Sequence, residues 1–312
     1  MRRSDKIKGG RAKSRRSKWW LLPLVLLVIV LVGLGSVYFT AQKTADQLYE
    51  SSSQNRQVLR DSNKVLDRKE PVSILLLGMD SGGGRTTGER NTDVMILVTI
   101  NPNDHSAKML SIPRDTYSQT IDDKINAAYA YGGSEGAINA VQDLLNIPVD
   151  YYALVNMDGM MSIIDAVGPI QVYNNFAFAN GGYQFPEGEI ELSSGDEALE
   201  WVRMRYEDPE GDYGRNRRQR EILLGILRKY ARVSSLTDIR PLLDVVTDNV
   251  RTDMTLNEMV RAGLSYRVPS EAVEEMTLIG QPDQSTGVYY NIVGQDQLDE
   301  VSQTLRSHLE LD

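Results

Sequence analysis

The chain has no cysteine, and only two of its 312 residues are histidine. The first absence excludes a disulfide framework and any cysteine metal site. The second leaves no histidine pair for a zinc centre of the usual kind, since His105 stands in a turn-rich stretch and His308 near the C-terminus. No nucleophile-elbow serine motif is present either. Positive charge is scarce in the body of the chain: residues 71–312 hold nineteen Lys/Arg against thirty-seven Asp/Glu, a net −18. Such a body is a poor partner for nucleic acid, whose phosphates favour a basic footprint. Within it lysine occurs three times and arginine sixteen. Carboxylates, arginines, hydroxyls and a hard metal are left to carry any chemistry.

What is present is unevenly spread. Residues 1–18 carry nine Lys/Arg and one Asp, a net +8. Residues 19–40, WWLLPLVLLVIVLVGLGSVYFT, hold no charge over twenty-two positions, long enough for a helix to cross ~30 Å of hydrocarbon. Trp19 and Trp20 stand at the basic end, where amphipathic rings favour the membrane interface. The positive-inside rule then puts residues 1–18 in the cytoplasm and everything after residue 41 outside. A cleaved signal peptide is the alternative, but its apolar core spans only ~7–15 residues and needs a small-x-small cleavage site, which is missing. The expected plan is a basic cytoplasmic tail (1–18), a transmembrane helix (19–40), a polar extracytoplasmic stalk (41–70) and one extracytoplasmic domain (71–312).

Within 71–312, VSILLLG (72–78), DVMILVTI (93–100) and AKMLSIP (107–113) are short apolar runs of the buried-strand type. YYALVN (151–156) and PIQVY (169–173) read as strands flanking a short helix, MDGMMSIIDAV. SEGAINAVQDLLN (134–146) and GRNRRQREILLGILRKY (214–230) have helical spacing, and Ser194 three residues before Glu197 marks a helix start. Helices near 236–248, 255–266 and 294–311 and a strand near 275–280 complete the reading. Strands alternate with helices, which predicts an α/β fold with helices on both faces of a sheet.

If the first three strands form a meander, Asp80, Asp93, Arg114 and Asp115 meet at one end of the sheet. Gly82, Gly83 and Gly84 beside them would let backbone approach a ligand closely. Taken singly, each Asp is an ordinary turn residue. A nucleotide P-loop is excluded, because Gly84 and Arg85 stand where the motif needs Lys and then Ser or Thr. Further on, RMRYEDPEGDYGRNRRQR (203–220) gathers six arginines and no lysine. Arginine offers a rigid fork that grips phosphate oxygens in pairs. Arg215 and Arg218 are expected to share a face at a helix N-terminus, which itself attracts anions. The bland alternative is a solvated charged face paired with Glu207, Asp208, Glu210, Asp212 and Glu221, and Arg217 and Arg220 fit that best. Paired carboxylates plus arginines suit a pyrophosphate held with Mg²⁺, which typically takes one or two carboxylates and completes its shell with phosphates and water.

LLLGMD (75–80), NTDVMILVTI (91–100), SIPRDT (111–116), KINAAYAYGG (124–133) and ALEWVRMRYEDPEGDYGRNRRQRE (198–221) together resemble the LytR-CpsA-Psr family of cell-wall glycopolymer phosphotransferases. The resemblance implies a central mixed sheet between helical layers, preceded by one transmembrane helix. It implies transfer of an anionic glycopolymer, of the wall teichoic acid or capsular polysaccharide type, from a polyprenyl-pyrophosphate carrier to peptidoglycan outside the membrane. By motif, Asp80 and Asp93 would hold Mg²⁺ (or Mn²⁺). Arg114, Arg203, Arg205, Arg215, Arg218 and Gln219 would surround the pyrophosphate, with Lys124 and Asn126 in the same shell. Asp80, Asp93, Arg114, Arg205 and Arg218 are the expected catalytic set. One departure is Asn91, where many members carry Arg. Met157, Met160, Met161, Ile163 and Ile164 are candidates for a lipid-tail pocket, against the alternative of plain core. The expected partners are the lipid-linked glycopolymer, the peptidoglycan acceptor and the membrane, with no nucleic acid. The rival functions are a polyprenyl-pyrophosphate hydrolase and a non-catalytic envelope regulator or scaffold.

Overall fold

The three apolar runs at the start of the domain become three consecutive antiparallel strands. The computed structural model describes residues 56–79, 91–204, 207–230, 250–255, 258, 261–262, 265–266 and 268–311, all within a unit spanning residues 44–312. The expected tail, transmembrane helix and first part of the stalk, the loop holding Asp80 and Gly82–Gly84, Arg205, and the helix near 236–248 lie outside the described residues. So does much of the helix expected at 255–266. No described helix is long and apolar enough to cross a membrane.

In chain order the elements are α1 (Ser62–Arg68), β1 (Val72–Met79), β2 (Thr92–Asn101), β3 (Ser106–Ser111), β4 (Tyr117–Ser118), β5 (Asp123–Lys124) and α2 (Ala127–Leu145). Then come β6 (Tyr151–Asn156), α3 (Met157–Val167), β7 (Ile170–Asn174), β8 (Phe178–Asn180), β9 (Tyr183–Phe185) and β10 (Gly188–Leu192). The remainder is α4 (Gly195–Arg203), α5 (Asp212–Tyr230), β11 (Val250–Thr252), β12 (Val273–Thr277), β13 (Gln281–Asp283), β14 (Tyr290–Ile292) and α6 (Gln295–His308). Six strands form a mixed sheet in the order β11-β6-β1-β2-β3-β12. β1, β2 and β3 are antiparallel neighbours, while β6 runs parallel to β1 and β12 parallel to β3.

Side chains alternate along each strand, so one sheet feeds two cores. Leu75, Leu77, Met95, Leu97 and Leu110 pack with Ile138, Val141 and Leu145 of α2 and Val301 and Leu305 of α6. Ile96 and Met109 face the other way, onto Leu224 of α5. Each large apolar side chain buried this way contributes about 1.5–3 kcal/mol. The mixed sheet therefore lies between helical layers, as the resemblance implies. A second cluster joins the β7–β10 ribbon to α3, α4 and α5 around Trp201, whose indole N–H donates to Asn174 Oδ1 at 3.1 Å.

Differences from expectation have local causes. α2 starts at Ala127 and not near 134, but it is broken at Gly132 and Gly133, the latter with φ 62°, so residue 134 opens its second segment. The strand expected at 275–280 runs over Val273–Thr277, and Ile279 beyond it is exposed. Ser194 does cap α4, accepting from Glu197 N at 3.2 Å, while the Glu197 carboxylate returns to Ser193 N. Val65 and Leu66 of α1 are buried with Val72, Tyr151 and Tyr266, and Arg60 pairs with Asp150. Packing thus reaches back into the segment expected as a stalk, part helical and part flexible, of which α1 is a helical part.

Candidate functional site

The meander brings Asp93, Arg114 and Asp115 together; Asp80, expected with them, lies outside the described residues. Met79 at the end of β1 pairs with Thr92 at the start of β2, after an irregularity between Gly78 and Met79. Gly78 is needed there: a Cβ would stand 2.8 Å from that of Val94. Beyond β3 the chain turns at Pro113–Thr116, and backbone bonds tie the turn to the segment before α2: Ile125 N donates to Thr116 O at 2.7 Å and Asn126 N to Arg114 O. Arg114 is thereby held against β2, with its guanidinium 2.8 Å from Asp93 Oδ1 and 3.4 Å from Asp115 Oδ2. Lys124 Nζ completes the row, 2.6 Å from Asp115 Oδ1. The result is an alternating chain, Asp93–Arg114–Asp115–Lys124, of half-buried side chains. Burial by itself would lower the pKa of Arg114, but Asp93, Asp115 and Asp212 outweigh it and hold the guanidinium above its ordinary value.

Two buried oxygens beside this row have no hydrogen-bond partner: Asn126 Oδ1 and Thr92 Oγ1. Orphaned buried polar atoms cost free energy, and those that persist call for a role. Asn126 was singled out in the sequence; Thr92 was not, and its only signal is its place next to Asp93. Together with the Asp93 carboxylate these are hard oxygen donors of the kind Mg²⁺ takes. No group of three acidic or histidine side chains among the described residues is arranged for a metal. These donors fit an ion that shares its shell with a ligand.

The arginine block separates on folding. Arg215 sits in the first turn of α5, 3.6 Å from Asp212, and Asp212 in turn acts on Arg114. Arg203 ends α4, exposed and 3.8 Å from Glu200. Gln219 is buried and borders the cavity described below. Arg218 does not join them. The residue is 3% exposed, with its guanidinium bound to Asp208 Oδ2 at 2.5 Å and to the Met204 carbonyl and the Phe178 ring 5.6 Å away. Burial lowers its pKa despite Asp208. Three residues along the helix turn Arg218 about 60° from Arg215, and its side chain enters the ribbon core, where it makes a buried ion pair with Asp208. Arg217 pairs with Glu210, as a solvated face would. Arg220 is a cross-strut, reaching Glu275, Ser111 Oγ and Thr277 Oγ1 at 2.6–2.9 Å.

An apolar cavity of about 230 Å³ lies between β1, β2 and β6 and the helices α3, α4 and α5. Met160, Met161, Ile163 and Ile164, all expected for a tail pocket, line it; the Met157 side chain lies outside the description. Leu199 and Val202 of α4 and Ile222 and Leu223 of α5 supply the walls that sequence reasoning missed. Their spacing is that of any core-facing helix, so only the assembled helices reveal the gap. Val94, the residue after Asp93, is part of the wall, and Asn156 and Gln219 are its polar members.

Comparison with known proteins matches residues 35–307 to the LytR_cpsA_psr family. The chain is 40% identical to the polyisoprenyl-teichoic acid–peptidoglycan teichoic acid transferase TagU of Halalkalibacterium halodurans, over 93% of this chain and 97% of that protein. Among solved structures, TagU of B. subtilis superposes with a TM-score of 0.63 at 36% identity, covering 77% of this chain and 97% of that one. TagT bound to LIIa-WTA superposes with a TM-score of 0.67 at 29% identity, covering 83% and 97%.

Proposed function

The chain belongs to the LytR-CpsA-Psr family, and from that premise we propose that it transfers a teichoic-acid-type glycopolymer from a polyprenyl-pyrophosphate carrier to peptidoglycan. The observation that carries the proposal is a juxtaposition. A row of alternating carboxylates and cations stands at the same sheet end as an apolar cavity whose wall begins one residue from Asp93. Polyprenyl pyrophosphate combines the two matching chemistries, a dianionic head and a hydrocarbon tail. The names of the relatives favour teichoic acid over capsular polysaccharide as the cargo.

In this reading Arg114, Lys124 and Arg215 bind the diphosphate oxygens, with Arg203 and Arg205 completing the set. Asp93 and Asp80 would hold Mg²⁺, with Asn126 Oδ1 beside them, and the ion supplies positive charge against the diphosphate. A sugar hydroxyl of peptidoglycan attacks the phosphorus that bears the glycan. Its oxygen forms the new P–O bond as the bond to polyprenyl phosphate breaks, and its proton passes to a carboxylate of the row, Asp93 or Asp115. The fixed cations stabilise charge growing on the departing phosphate. The uncharged segment 19–40 after a +8 tail supports a single-pass anchor with this domain outside.

The test is to incubate the full chain with labelled lipid-linked glycopolymer, with and without peptidoglycan. Label should enter peptidoglycan only when both are present, and Asp93→Ala should abolish both transfer and the Mg²⁺ dependence of lipid affinity. Release of free glycan phosphate regardless of acceptor would make the protein a hydrolase. No consumption of the lipid would make it a scaffold.

A further inference from the structure

A strip of tyrosines runs away from the ion-pair row, on a part of the molecule that neither the pyrophosphate nor the tail uses. It is built by two hairpins. β4 and β5 pair Tyr117 with Lys124 and Ser118 with Asp123. β13 and β14 form the second hairpin, which docks beside the row itself: Asn291 N donates to Asp115 O at 2.8 Å, Asn291 Nδ2 to Thr116 Oγ1, and Tyr213 OH to Asn291 Oδ1. This docking puts Tyr289 next to the site, with Lys124 Nζ 6.0 Å from its ring centre. Burial, then Tyr213 and the charges of Asp115 and Asp212, raise the pKa of the Tyr289 hydroxyl, as expected of a ring at the site's rim. Tyr290 meets Tyr117 edge-on at 5.6 Å. Tyr131 on α2 ends the strip, its hydroxyl donating to Asp123 Oδ2 at 2.6 Å, while Tyr117 OH donates to Asp122 Oδ1 at 2.7 Å.

Soluble proteins rarely leave such rings in the open without a use when they are contiguous. Tyr131 is 66% exposed and Tyr289 is 40% exposed. Tyr131 is tied by its hydroxyl to Asp123, and Tyr289 directly precedes a strand docked beside Asp115, which reduces the ordering needed when a ligand stacks on them. Resting on the phosphotransfer reading, we propose that this strip is the acceptor subsite, where the rings stack on sugar faces and Asp122 and Asp123 accept sugar hydroxyls. Charge decides between the two glycans in the reaction. The strip carries Asp122 and Asp123, and Asp283 pairs across the hairpin from Tyr290. Like charges repel the phosphate-rich donor polymer, whereas an uncharged N-acetylated glycan backbone meets no penalty. The strip leads to Asp115 and Lys124, which is where an attacking hydroxyl has to arrive.

The experiment uses the full chain in detergent micelles and two probes: tetra-N-acetylchitotetraose, an uncharged glycan, and an oligomer of glycerol phosphate. Saturation-transfer NMR should show the chitotetraose bound by the wild type. Tyr131→Ala and Tyr289→Ala should each weaken it about tenfold, with Tyr289→Phe close to wild type and the glycerol phosphate oligomer unaffected. In the transfer assay the same variants should raise the KM for the glycan acceptor and leave the KM for the lipid-linked donor in place. Absence of chitotetraose binding by the wild type, unchanged affinity in both Ala variants, or a rise in donor KM in place of acceptor KM would overturn the proposal. Failure of transfer altogether removes the phosphotransfer reading, and the binding arm then still decides whether the strip holds a glycan.

Discussion

The arginines of 203–220 look alike in the sequence, and the five described ones have different surroundings in the structure. Arg114 and Arg218 mark the extremes among the expected binding residues. Arg114 is partly buried and shared between Asp93 and Asp115, while Arg218 is sealed with Asp208. Arg114→Lys keeps the charge and loses the fork, so affinity for pyrophosphate lipid should fall at least tenfold, since charged hydrogen bonds contribute about 1.5–3 kcal/mol. Unfolding by denaturant should barely change. Arg218→Ala should act in the opposite sense. It leaves the Asp208 carboxylate buried without its cation, a loss of about 3–5 kcal/mol, and the midpoint of denaturation should drop. Arg217→Ala, which removes a surface pair with Glu210, should stay within about 0.5 kcal/mol of wild type. A fold that tolerates Arg218→Ala but not Arg217→Ala would reverse the roles of these two arginines. The abundance of arginine is plain in the sequence. Which guanidinium meets a ligand depends on the helix face and on what packs against it.

Elements differ in how much of them local sequence reveals. The β1–β3 meander is visible as three apolar runs because buried strands need no polar face. The ribbon of β7 and β10 is half visible: Ile190 and Leu192 are the only buried side chains of β10, too few to stand out from a loop. The cavity is not visible at all, since it is the space left among α3, α4 and α5. Close approach of two of them is enforced at Gly195, where a Cβ would lie 2.4 Å from the Met161 carbonyl. Leu199 lines the cavity without being fully buried. Leu199→Trp should fill the space and leave stability equal or higher by about 0.5–2 kcal/mol. It should raise the KM for a long polyprenyl donor and spare a donor carrying a short prenyl chain. An equal effect on both donors would remove the cavity from tail binding.

At the scale of the whole molecule, the charge is divided along the sequence, from the +8 tail to the −18 body. Protease added to intact, wall-stripped cells should digest residues after 41 and spare an N-terminal tag, since the positive-inside rule keeps the basic end in the cytoplasm. Loss of the tag without lysis would refute this orientation. Residues 56–68 should resist digestion better than a free stalk would, because Val65 and Leu66 are buried against the domain and Arg60 is paired with Asp150.

The linear pattern alone determined the apolar runs, their order, the class of fold and the wealth of arginine, because burial periodicity and side-chain chemistry are written locally. It also suggested that Asp93 and Arg114 would converge if the first three strands formed a meander, and the strand pairing and the ion pair bring them together. Tertiary structure decided what needs two or more distant elements at once. Arg218 became a core residue because Asp208 and Phe178 meet it from other segments. Thr92 and Asn126 became orphaned acceptors because β2 and the start of α2 enclose them. The tyrosine strip formed because a C-terminal hairpin docks beside Asp115, more than 160 residues along the chain. No window of sequence contains those encounters, and each is settled by packing.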